Sequence, residues 1–228
     1  VILLSLCGGN VFGTFNIGAF FLYAMPYVLI IYFFSDFMRE DFLISYVYIF
    51  IRMGKKEKWL RQSLLHMLSR IAALFLVIEI TGFITGVAFG LKVVTPSRGF
   101  IEMLLFTFLL NVLSMFFISF FQNFLSLKLG SAISFIITTG LYIISLIKVA
   151  FQANFSEIWC LMVPINQMYV SHSDRITAGF GTLQLAKAIV NFSVGTHIVL
   201  LLFYTVVLYM VSRTILLKRD LSELLKEA

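Results

Sequence analysis

Apolar residues in this chain come in long unbroken runs, with polar residues gathered between them rather than alternating along them. A bilayer core about 30 Å thick takes roughly 20 apolar residues as a helix, and a chain inside it must satisfy its backbone within each segment or in a closed barrel. Barrel strands would alternate in and out over about ten positions. These runs do not, so they predict helices, at about 17–35, 63–91, 99–125, 131–151 and 194–212. Pro26 falls inside the first and predicts a kink or a packing break there. Lys128-Leu-Gly130 predicts a tight turn between the third and fourth.

The composition agrees. Hydrophobic residues make up 61% of the chain and charged residues 12%, with a mean hydropathy of +1.01, outside the range of soluble domains. The fold class is therefore an all-α polytopic membrane protein, with residues 1–228 forming a single transmembrane domain. The opening stretch Val1 to Leu6 has neither a basic start nor a cleavage signal. It reads as the outer end of a first helix that is largely missing, giving six spans in the complete protein.

The net charge of +6 is explained by where the cations sit. Arg39, Arg52, Lys55, Lys56, Lys58, Arg61, Lys128, Arg213, Lys218, Arg219 and Lys226 fall on one set of connections; only Lys92, Arg98, Arg175 and Lys187 fall on the other. Eleven against four predicts the first set, and both termini, to be cytoplasmic in a cell membrane. The segment 152–193 is then external. Within it Glu157 to Val163 is apolar enough to dip into the membrane, Pro164 and Asn166 would break it, and the chain returns through 183–190 as a re-entrant pair of short helices. Cys7 and Cys160 share that side, as a possible disulfide or as two separate thiols.

The densest basic block is Arg52-Met-Gly-Lys-Lys-Glu-Lys-Trp-Leu-Arg61, inside a cytoplasmic segment 36–62. Gly54 can interrupt a helix there, and from Lys55 onward the chain could lie along the headgroups with Trp59 buried and the lysines snorkelling. The block is either a plain basic flank or a handle for a soluble motor. Inside the spans, Glu79 sits mid-membrane with no escape to water, whereas Lys148 can snorkel from the end of its span; each should face protein or a hydrated space. Asn111 and Gln122 read as interhelical hydrogen-bond partners, and Gly82, Gly86 and Gly90 as a close-packing stripe.

Catalytic readings fail. His172-Ser-Asp174 is contiguous and cannot form a triad, and His66, His172 and His197 are too scattered for a metal site. The chain has no GxxxxGK[ST] sequence, so any ATP would be hydrolysed by another polypeptide.

Taken together, the Ile51 to Leu60 block and the run Met162-Val-Pro-Ile-Asn-Gln-Met168 before the last span resemble the permease subunits of ABC-2 type exporters. The likeness is to the small Gram-positive kind that exports bacteriocins, lantibiotics or toxin peptides. The resemblance implies a six-helix ABC-2 (type V exporter) transmembrane domain with a cytoplasmic coupling helix and outer re-entrant helices. Arg52, Gly54, Lys55, Lys56, Glu57, Lys58, Trp59 and Arg61 would couple it to a cytoplasmic ATPase that carries the ATP and Mg, no cofactor being bound by this chain. A second permease, identical or related, would complete a dimer in membrane lipid. An amphipathic peptide would pass between the copies, along Phe-rich spans such as Phe116, Phe117, Phe120 and Phe121. Two other readings stand beside it: a non-transporting immunity or binding protein, and an ion-coupled secondary transporter using Glu79.

Overall fold

The computed structural model describes residues 17–39, 56–90, 97–150 and 194–218. They form five helices: α1 Ile17–Phe33, α2 Lys56–Ala88, α3 Ser97–Leu129, α4 Ser131–Ala150 and α5 Val194–Lys218. Helix α1 runs through Pro26 without interruption. At Gly130 the backbone takes a left-handed φ of 80°, so one residue reverses α3 into α4. Its N–H bonds to the Ser126 carbonyl (3.1 Å), and its own carbonyl accepts from Ser134 N–H (3.2 Å). The tight turn expected there is present.

Helix α3 is the hub, packing against α1, α2, α4 and α5. Side chains are buried over 56% of its most apolar stretch, against 11% for α2 and for α5. The core gathers Ile30, Ile31, Met67, Ile71, Met115 and Phe120 from three helices. Tyr27 joins four, its ring lying 6.2 Å from Phe75 and 5.9 Å from Tyr142 while its hydroxyl donates to Asn111 Oδ1 at 3.2 Å.

The outward faces are apolar. Ile133, Ile136, Leu141 and Ile144 of α4 are exposed, as are Val199, Phe203, Val206 and Met210 of α5. The buried face of α4 carries Ser134, Thr138, Tyr142 and Ser145. That arrangement inverts a soluble helix, and in water it would be an aggregation hazard. Exposed threonines also bond to their own helix: Thr81 Oγ1 to the Val77 carbonyl and Thr85 Oγ1 to the Thr81 carbonyl, both at 2.7 Å. Such back-bonding satisfies a hydroxyl where no water reaches it. Helices α2, α3 and α5 are each long and apolar enough to cross a membrane. The bundle is that of a polytopic helical membrane protein.

Candidate functional site

The exposed face of α2 changes character along its length. Lys58, Arg61, His66, Ser69 and Arg70 are exposed in its first half; from Leu74 to Val87 the exposed side chains are almost all apolar. At 1.5 Å per residue the apolar part spans about 20 Å and the polar part, Lys56 to Arg70, about 21 Å. Helix α2 therefore crosses the apolar belt and continues beyond it. Nothing between Lys56 and Ala88 breaks it: Lys, Glu, Leu, Arg and Gln are all strong helix formers. The basic residues from Lys56 onward are thus the first turns of the same helix that carries the apolar stretch. Trp59 is 2% exposed, in the protein core, with Leu60 beside it at 1%.

Several contacts assemble one charged end of the bundle around this extension. Arg213, near the end of α5, grips Glu57 through two parallel contacts, Nε to Oε1 at 3.1 Å and Nη2 to Oε2 at 3.2 Å. Arg39, after α1, donates to Ser131 Oγ at 3.4 Å. Arg70 lies 5.0 Å from the Phe37 ring centroid and Lys128 5.5 Å from that of Phe124, each geometry suited to cation–π attraction. So the cations grouped from the sequence as one set of connections meet at one end wherever they are described.

Just inside that end sits a residue the sequence did not single out. Asn123 is fully buried; its Nδ2 donates to the carbonyls of Phe34 (2.6 Å) and Ser119 (2.8 Å), and its Oδ1 accepts from Met38 N–H (2.8 Å). Two backbone groups just past the end of α1, the Phe34 carbonyl and the Met38 N–H, are thus satisfied by α3.

The intramembrane residues divide. Asn111 makes the interhelical bond expected of it, to Tyr27. Gln122 is as deeply buried, yet neither amide atom has a hydrogen-bond partner among the described residues. Glu79 is half-buried midway along the apolar part of α2, its Oε1 covered and also without a hydrogen-bond partner among the described residues. Lys148 lies in the last turn of α4. Gly82 and Gly86 are half-buried on α2, but Gly90 is past its end with φ at 70° and open space around it. It caps the helix, so the packing stripe shortens to two glycines. Phe116 and Phe120 stack in the core with centroids 6.3 Å apart, which takes both out of any surface between copies.

Arg52, Gly54, Lys55, Pro164, Asn166, Cys7 and Cys160 lie outside the described residues, as does the re-entrant region 152–193. Among the described residues no cluster of His, Cys, Asp and Glu could hold a metal ion.

A helical membrane bundle with one charged end is the class that this geometry defines. The chain belongs to DUF2705, a family whose description is protein of unknown function and whose model matches residues 8–222. No curated protein and no solved structure matches it.

Proposed function

We propose that this chain is the permease subunit of an ATP-driven exporter of the ABC-2 type, moving amphipathic peptides out of or across the cell membrane. In this reading the charged end is cytoplasmic, as the distribution of Lys and Arg favours. A separate ATPase subunit carries ATP and Mg, and a second permease completes the transporter.

The observation that carries the reading is the continuity of α2. One helix runs from the charged turns at Lys56 to Ala88, anchored by Trp59 and Leu60 and tied to α5 through Glu57 and Arg213. A soluble motor pressing on Lys58 and Arg61 would move α2 as a rod and carry α5 with it. A peripheral basic loop would dissipate the same push.

The test is affinity purification of the tagged protein from native membranes, followed by mass spectrometry and an ATPase assay. A co-purifying P-loop subunit whose turnover is uncoupled from transport by charge reversal at Lys55, Lys56 and Lys58 is the expected result. A preparation with no ATPase after crosslinking in intact membranes removes the exporter and leaves the immunity-protein and ion-coupled readings. A second reading, ion-coupled transport, draws on Glu79, whose carboxylate oxygen lacks a partner mid-membrane. It requires gradient-driven flux that Glu79→Gln abolishes.

A further inference from the structure

Where α3 turns into α4, buried polar side chains line both helices: Ser119, Gln122 and Ser126 on α3, and Ser134, Thr138 and Tyr142 on α4. The two helices are antiparallel, in contact and joined only by Gly130. Ser126 and Ser134 are equally distant from that turn along the chain, as are Gln122 and Thr138, so each pair lies at one height. Further along, Ser119 and Tyr142 are both fully buried, and Tyr142 leads through the Tyr27 ring at 5.9 Å to Asn111. Measured along α3 from Ser126 to Thr107, this polar file is about 28 Å long, nearly the thickness of a hydrocarbon core.

The two ends of the file are satisfied within the protein. Ser126 and Ser134 bond back to the Asn123 and Ser131 carbonyls, and Asn111 is held by Tyr27. Its middle is not. Ser114 Oγ, Ser119 Oγ, Thr138 Oγ1 and both amide atoms of Gln122 are buried with no hydrogen-bond partner among the described residues. A buried polar group left in this condition is expensive, and several together are far outside what native interiors tolerate. Lipid-facing Thr81 and Thr85 close hydrogen bonds onto their own helix, so an unpartnered hydroxyl is not imposed by the helical backbone. The unsatisfied groups are all neutral and include a paired donor and acceptor on Gln122. That chemistry suits water and small hydroxylic solutes rather than an ion of either sign.

We propose that the α3–α4 seam is a hydration site within the single protomer, with Gln122 at its centre and Ser114, Ser119 and Thr138 completing the hydrogen bonding. Water held there makes each of these groups a satisfied donor or acceptor. It also gives the protomer a hydrophilic interior line, separate from its lipid-facing surface. The proposal stands whether or not an ATPase drives the protein.

Single cysteines at Ser119, Gln122 and Thr138, in a chain with Cys7 and Cys160 replaced, test it in native membrane vesicles. The probe is a small, hydrophilic, cationic methanethiosulfonate. Controls are Phe116→Cys and Phe120→Cys, buried apolar positions on another face of α3. Because only a hydrated thiol ionises and reacts, seam positions should label roughly tenfold faster or more than the controls. Rates equal to those of Phe116 and Phe120 overturn the proposal. A second measurement does not depend on introducing cysteines: thermal unfolding of Gln122→Leu in detergent. An unchanged or lowered midpoint is expected, since hydrated Gln122 is already satisfied. A midpoint raised by about 2–4 °C or more would mean that a dry, unpaired amide had been removed, and the site would be refuted.

Discussion

Helices α2 and α3 have the same length of 33 residues and are held in opposite ways. Helix α3 is enclosed, and its specific contacts are polar: Asn111 to Tyr27, and Asn123 to the end of α1. The apolar half of α2 is turned largely outward, and its firmest attachment is the apolar anchor Trp59, Leu60, Leu64 and Met67 in its outer half. In a membrane, apolar contact with lipid costs nothing, so hydrophobicity cannot distinguish one helix neighbour from another there, and polar groups specify the partner. Beyond the apolar belt water returns, and burying a tryptophan again becomes the stronger attachment.

That contrast can be broken from either side. Trp59→Ala should have the largest effect, about 3–5 kcal/mol for emptying a buried aromatic site. It should also loosen the outer turns of α2 selectively, read as faster tryptic cleavage at Lys56, Lys58 and Arg61 than in the parent protein. Next comes Asn123→Ala, which leaves the Phe34 carbonyl and Met38 N–H without their α3 partner. At about 1–3 kcal/mol for each buried group, unfolding in detergent should show a marked loss with the outer turns of α2 still resistant to trypsin. Tyr27→Phe removes only one hydroxyl and orphans Asn111 Oδ1, for about 1–2 kcal/mol. Asn111→Leu added to it should recover part of that loss. The smallest effect belongs to the Glu57–Arg213 pair. Both side chains are more than 40% exposed, so a double-mutant cycle with Glu57→Gln and Arg213→Ala should return roughly 0.2–1 kcal/mol, shrinking as salt is raised. A coupling well above that range would place the pair in a drier setting than its exposure indicates.

Which parts of this were legible beforehand follows from the same physics. Each long apolar run became a helix, because a membrane leaves the backbone few alternatives, and the Gly130 turn was readable because a left-handed φ has few other hosts. The start of α2 was not. Charges at Lys56, Lys58 and Arg61 look like the end of a span when judged by hydropathy, whereas helix propensity carries the chain through them without a break. Gly90 belongs to the same difficulty: spacing alone joins it to Gly82 and Gly86, and only its conformation shows that it ends the helix. Asn123 and Gln122 are adjacent in the sequence and equally buried, yet one is fully engaged and the other has no hydrogen-bond partner among the described residues. Which neighbour each one faces is set by packing, which residue type does not encode. The hydroxyl face of α4 was available in principle, since Ser134, Thr138, Tyr142 and Ser145 fall at the spacing of one helical side.

The single-residue connection at Gly130 has a consequence for how the chain is made. With no loop to spare, α3 cannot settle across a bilayer while α4 waits outside it. The pair has to enter as a hairpin, tip first toward the charged side or drawn in laterally together. Biogenesis and the final bundle thus depend on one backbone conformation, and lengthening that turn would uncouple two insertion events that the protein performs as one.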